Sequence, residues 1–204
     1  MPRITKKPAE RKQELIDAAE RLFLKKGYEP TAVSDIVKSI PVAQGTFYYY
    51  FDSKRDMLEA VLEKNFSALE KELASINDQT GVDPCDKFNR MINCMFRFDR
   101  GKRKLTDAAH LEGNTYLHHK LEEMSHTKLI PHLGAVVKEG VDQGRFNAPH
   151  PEETADVLFH ALLHLLHEPA LLADKARRKR TGVVLEHFFQ SVLGIDDDRI
   201  KIVL

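Results

Sequence analysis

Gln44, Thr46, Tyr48, Tyr49 and Lys54 fall within one short stretch, Ala43-Gln44-Gly45-Thr46-Phe47-Tyr48-Tyr49-Tyr50-Phe51-Asp52-Ser53-Lys54. A Gln amide can pair with N6 and N7 of adenine, and a Thr methyl can touch the methyl of thymine. Phenol hydroxyls and a Lys ammonium suit phosphate oxygens. Ala43 and Gly45 add little bulk, so another backbone can come close. Phe47 and Phe51 stand i, i+4 apart and can face inward together. Adjacent aromatics cannot all share that inward face, so Tyr48 and Tyr49 must point elsewhere. The set fits a helix that meets DNA. Ala43, Gln44, Gly45 and Thr46 would lie at base edges, and Tyr48, Tyr49 and Lys54 on phosphates.

Ten histidines offer a second chemistry. His118, Glu122 and His126 recur at i, i+4 and i+8, and His160, His164 and His167 form a similar stripe. Groups of this kind that converge can ligate zinc or a related ion. The sequence holds no His-Glu-x-x-His, and no carboxylate-histidine motif repeats on several helices of a bundle. His160, His164 and His167 share their stripe with Glu153 and Asp156, as on a solvated face. A metal-sensing regulator, or a helical metal-binding protein, is the alternative reading. The favoured expectation has no metal and no cofactor.

These side chains need helices to carry them. Leu15, Ala18, Ala19 and Leu22 recur at helical spacing, and Gly27 stops that pattern behind Lys25 and Lys26. Thr31 is positioned to cap a short second helix bearing Val33, Ile36, Val37 and Ile40, which Pro41 ends. A third runs from about Ala43 to Tyr49. Ser53 can cap a fourth, with Leu58, Val61, Leu62, Phe66, Leu69, Leu73 and Ile76. After a loop from Asn77 to Pro84, a fifth carries Phe88, Met91, Ile92, Met95 and Phe96. The charged stretch from Arg97 to Lys104, with Gly101, reads as a loop. Leu105 to Gly144 is helical with breaks near Gly113 and Pro131. Gly144 to Pro149 is a turn. Helices follow at Glu152 to His167 and Ala173 to Leu193, with Pro169 between. No segment alternates with period two, so the chain reads as all-α, with about nine helices.

Composition narrows the function classes. The chain has 204 residues, 42% of them apolar, and 31 basic residues balance 31 acidic ones. Net charge therefore selects no partner, but Arg3, Lys6, Lys7, Arg11 and Lys12 make the front basic, as phosphate contact would require. Cys85 and Cys94 are too few for a disulfide framework and read as free thiols. The N-terminus has no apolar run, and His160 and His164 interrupt the longest apolar stretch. A cytoplasmic protein without membrane contact is expected.

The first sixty-odd residues resemble the DNA-binding domain of the tetracycline-repressor (TetR/AcrR) family. The likeness rests on Leu22-Phe23-Leu24-Lys25-Lys26-Gly27-Tyr28, then Thr31-Ala32-Val33-Ser34-Asp35-Ile36-Val37, then Gly45 through Lys54, in the family's order and spacing. Pro41 departs from the family, where Gly is more frequent in the turn. Gln44 stands where Ser or Lys is usual, and Tyr50 replaces a frequent His.

The resemblance implies a three-helix helix-turn-helix domain over 9–68, with the motif at about 32–51. It implies a helical effector-binding and dimerisation domain over 69–204. It further implies a homodimer that represses transcription from a near-palindromic double-stranded operator until a small molecule releases it, and that is not an enzyme. Ala43, Gln44, Thr46, Tyr48, Tyr49 and Lys54 match DNA-contacting positions. Phe66, Phe88, Met91, Met95, His110, Leu111, Tyr116 and His118 would line the effector pocket, since Met and aromatic side chains make an adaptable apolar wall. The dimer would form through the last two long helices.

Overall fold

A computed structural model describes residues 7–111, 115–166, 174–195 and 199–202. Their helices are α1 (Pro8–Lys26), α2 (Val33–Lys38), α3 (Gln44–Tyr50), α4 (Lys54–Asn77), α5 (Pro84–Ala109), α6 (Thr115–Met124), α7 (Ile130–Asp142), α8 (Pro151–Leu166) and α9 (Lys175–Leu193). A π turn, Ser125–Leu129, joins α6 to α7, so the nine spans form eight uninterrupted runs. No described residue lies in a strand. Gly113, His167, Pro169 and Ala173, to which the sequence reading gave roles as breaks or ends, lie outside the described residues. So do Arg3 and Lys6.

The chain divides into two units. The first is Met1–Phe66 with Lys102–Glu122, and the second is Ser67–Gly101 with Glu123–Leu204.

In the first unit, α1 begins with Pro8, whose missing N–H costs nothing there. It ends at Gly27 with φ 96°, the residue type that takes this backbone without strain. Thr31 does not cap α2. Its hydroxyl turns back and donates to the Gly27 carbonyl at 2.7 Å, and Ala32 takes the cap position. The Asp35 carboxylate accepts from the Ala32 N–H at 3.4 Å and from Lys26 at 3.1 Å. Leu15, Ala18, Ala19, Phe23, Ile36, Phe47 and Phe51 form the core of the three short helices, with Met57, Leu58, Val61 and Leu62 of α4. Ser53 caps α4 as expected, accepting from the Asp56 N–H at 3.1 Å.

The expected loop from Arg97 to Lys104 is instead the interior of α5, which runs through Gly101. One Gly in a helix costs only about 1 kcal/mol, and the surrounding Arg and Lys are good helix formers. Their charges are also used. Lys102 donates to Glu20 at 2.5 Å, and Lys104 to the Lys25 carbonyl at 3.1 Å. Lys64 donates to Glu20 and to Asp17, both at 2.6 Å. Burial pushes the Glu20 carboxyl upward, but the hydrogen bonds from Lys102 and Lys64 outweigh it and hold its pKa below the ordinary glutamate value.

A depressed carboxylate stabilises the fold above the unfolded-state pKa, and that contribution disappears as pH falls through the folded-state value. Glu20→Gln is therefore expected to cost about 2 kcal/mol near neutral pH. The melting temperature should drop by about 4–8 °C. In thermal melts between pH 7 and pH 3, the gap from the wild type should close below the ordinary glutamate value of 4.5.

In the second unit, Phe88 of α5 meets Phe189 of α9 and Phe146 edge-on, at centroid distances of 5.7 and 6.4 Å. Gly140 of α7 touches the same cluster. A β-carbon there would lie 2.1 Å from the Phe146 ring, so only Gly fits. Lys87 is 3% exposed, and its ammonium donates to both Glu139 oxygens, at 2.8 and 3.0 Å, and to the Asn77 carbonyl at 3.1 Å. The interruption expected near Pro131 is the π turn itself, after which α7 opens at Ile130 with Pro131 in its first turn, where its ring is tolerated. Both cysteines are buried thiols outside any disulfide, as expected. Burial and a hydrogen bond to Glu72 push the Cys94 thiol up to about 12.

Candidate nucleic-acid interface

The aromatic run divides as its spacing requires. Phe47 and Phe51 are 0% and 5% exposed, whereas Tyr48 and Tyr49 are 55% and 77% exposed. The two phenylalanine rings lie 5.7 Å apart and fix the roll of α3 about its axis. That roll leaves Ala43, Gln44 and Gly45 exposed at the start of the helix, with Thr46 half-buried beside them. Ala43 caps α3 without a side-chain hydrogen bond. Nothing lies within 4 Å of where a Gly45 β-carbon would stand, so no packing within the chain requires a glycine there. The turn between α2 and α3 holds the Val42 N–H on the Ile40 carbonyl at 2.8 Å, around Pro41. This is a helix-turn-helix, and the face it presents is small and polar at one end and phenolic at the other.

Lys54 is placed differently from a bare surface cation. Its ammonium donates to the carbonyls of Tyr28 and Glu29, both at 3.1 Å, and sits 4.2 Å from the centre of the Tyr28 ring. It thus clamps the start of α4 to the loop after α1. An ammonium has three N–H groups, and these two carbonyls take two of them. Residue spacing gives no sign of this clamp, because its acceptors are backbone carbonyls more than twenty residues earlier.

The eight residues expected to line an effector pocket are divided between the two units. Phe88, Met91 and Met95 are buried in the second unit. Phe66 is buried in the first unit. Leu111 and Tyr116 are 39% and 48% exposed. The Tyr116 hydroxyl donates to Glu59 at 3.2 Å, with Arg55 over its ring. His110 is exposed, its Nδ1 2.7 Å from the Thr106 carbonyl. His118 is half-buried, its ring edge-on to that of His110 at 5.0 Å. Its Nε2 lies 3.3 Å from Glu122. A cavity of about 420 Å³ beside α9, lined by Lys175, Lys179, Val183, Glu186 and Ile202 among others, contains none of the eight.

Residues 15–61 match the family model for bacterial regulatory proteins, tetR family. The matched segment takes in α2, α3 and the adjoining parts of α1 and α4, so this helix-turn-helix is of the tetR-family type. The transcriptional regulator TtgR of Pseudomonas putida is 29% identical to this chain over 123 residues, 60% of this chain and 56% of TtgR. The chain spans about half the length of the curated relatives it matches first. Among solved structures, the fatty acid degradation regulator FadR of Bacillus halodurans superposes with a TM-score of 0.68 at 24% identity, covering 93% of this chain and 97% of FadR. A complex of SmeT with triclosan gives a TM-score of 0.64 at 17% identity, covering 89% and 90%. These structures share the TetR fold over nearly the whole chain. The matched relatives are themselves HTH-type transcriptional regulators. Among the described residues, no helix is long and apolar enough to cross a membrane.

Proposed function

We propose that the chain is a homodimeric, cytoplasmic repressor that reads a near-palindromic operator through α3 and leaves it when a small apolar or aromatic molecule binds within residues 69–204. The observation that carries the DNA reading is the outward set Gln44, Gly45, Thr46, Tyr48 and Tyr49 on a helix whose roll is fixed by Phe47 and Phe51. The buried methionines and aromatics of α5 supply an apolar interior suited to such an effector. The triclosan complex of SmeT supports this effector class by analogy only.

The dimer reading rests on α9, which is apolar on two sides. Leu185, Phe189 and Leu193 are buried in the unit's own core. Val183, Val184 and Phe188 remain 47%, 66% and 37% exposed. A second apolar stripe on a helix calls for a second partner. On α8, Leu162 is already 1% exposed and Val157 is 56% exposed. Charge at Leu162 or Phe189 would therefore unfold the chain, whereas charge at Val184 and Phe188 would separate the subunits.

Selection from random-sequence duplex DNA tests the proposal. An inverted repeat should emerge, with Gln44→Ala relaxing preference at one position per half-site by about 1–3 kcal/mol. Lys54→Ala should weaken all sequences and flatten the salt dependence. In sedimentation, the double variant Val184→Asp, Phe188→Asp should be a folded monomer that binds a full operator far more weakly. A wild type that is monomeric at micromolar concentration, or that selects no sequence, would overturn the reading.

A further inference from the structure

We propose that His126, Asp156 and His160 form a binding site for a first-row divalent transition ion of the zinc class. The site lies wholly within the second unit, and none of its three residues is among those named for DNA or effector contact. Asp156 and His160 stand i, i+4 on α8, and His126 reaches them from the π turn.

One donor atom from each side chain lies within 4.8 Å of the other two. Asp156 Oδ1 is 3.4 Å from His160 Nδ1 and 3.7 Å from His126 Nδ1. The two imidazole rings are 5.4 Å apart and tilted by 41°. A tetrahedral zinc ion with bonds of about 2.0–2.2 Å separates its ligand atoms by roughly 3.4 Å. The two measured edges are already near that length, so modest ring turns complete the triangle. His160 Nδ1 also lies 2.9 Å from the Asp156 carbonyl. Its ring must turn from that carbonyl to present a lone pair.

Three independent features point to a ligand here rather than to an idle surface pair. Asp156 Oδ1 is shielded from solvent yet accepts no hydrogen bond. A shielded carboxylate oxygen without a donor is costly and calls for a charged partner. The side chains of His126, Asp156 and His160 are nevertheless 53%, 44% and 49% exposed, so an ion and its water can reach that oxygen from outside. Finally, His126 is delivered by a π turn, a rare local geometry that recurs at functional sites.

The donor set selects the ion. Two imidazoles and one carboxylate suit zinc and its first-row neighbours. Calcium and magnesium prefer all-oxygen shells. Three protein ligands leave a fourth position for water or a further group.

The test is calorimetric titration of the full, untagged chain with zinc chloride. One ion should bind per chain at free concentrations below about 100 µM. His126→Ala and His160→Ala should each weaken binding at least tenfold, as should the near-isosteric Asp156→Asn, which keeps the fold. His119→Ala, an exposed histidine outside the triad, should leave the titration unchanged. Cobalt loading should give the visible absorption of a tetrahedral nitrogen-oxygen site, lost in the same three variants. Absence of saturable binding would overturn the proposal. So would binding that falls equally with His119→Ala, or that survives all three triad substitutions.

Discussion

Gly45→Glu is expected to abolish operator binding while leaving the chain as stable as before or more so. The free protein has open space around the Gly45 Cα, so the new side chain meets nothing. Replacing Gly within a helix gains about 0.5 kcal/mol of propensity. An acidic residue in the first turn adds a further favourable interaction with the helix dipole, about 0.3–1 kcal/mol. At the proposed interface the same carboxylate would enter a groove lined by phosphates, where like charges in close contact cost several kcal/mol. Affinity should fall at least about 100-fold, the equivalent of about 3 kcal/mol. Gly101→Glu is the matched control. It makes the same charge change at an exposed, open glycine inside α5. That variant should bind DNA nearly as the wild type does. A Gly45→Glu protein with raised melting temperature and full affinity would show that α3 is not the reading element.

Lys87→Ala should be the most destabilising single change among the polar residues, by about 3–5 kcal/mol. Lys87 is almost fully buried, and its ammonium holds Glu139 and the Asn77 carbonyl together. Removing it strands a half-buried carboxylate and an acceptor at the end of α4. Glu139 also accepts from Gln143 at 3.1 Å, which favours the lower end of the range. A loss of about 3 kcal/mol corresponds to a melting temperature about 6–12 °C lower. The double variant Lys87→Met, Glu139→Gln should recover most of that loss, because it removes both charges and keeps the volume. If the double variant is no more stable than Lys87→Met alone, the cost lies in packing rather than in the stranded charge.

Much of this architecture was legible in the sequence because it follows from local rules. Apolar spacing gave the helices, Gly27 and Ser53 gave two of their ends, and the i, i+4 phenylalanines gave the roll of α3. What the residues could not reveal depends on distant partners. Gly101 among charges reads as a loop until Glu20 is seen to take up Lys102. Thr31 reads as a cap until its hydroxyl is seen on Gly27. The stripe His118, Glu122, His126 assumed an unbroken α period. The π turn breaks that period, so Glu122 pairs with His118 while His126 faces α8. The exposure of Leu111 and Tyr116 shows the same limit, since an apolar residue type does not say which way its turn of helix faces.

The buried thiols have a practical corollary. Cys85 and Cys94 are 1% and 2% exposed, and both lie in the second unit. Alkylating reagents attack the thiolate, and the Cys94 thiol, pushed up to about 12, stays protonated in ordinary buffers. Its modification must wait for the interior around it to open. The pace of labelling is then a clock on that opening, built into the natural sequence, and any ligand that binds only the closed form of this unit should slow it.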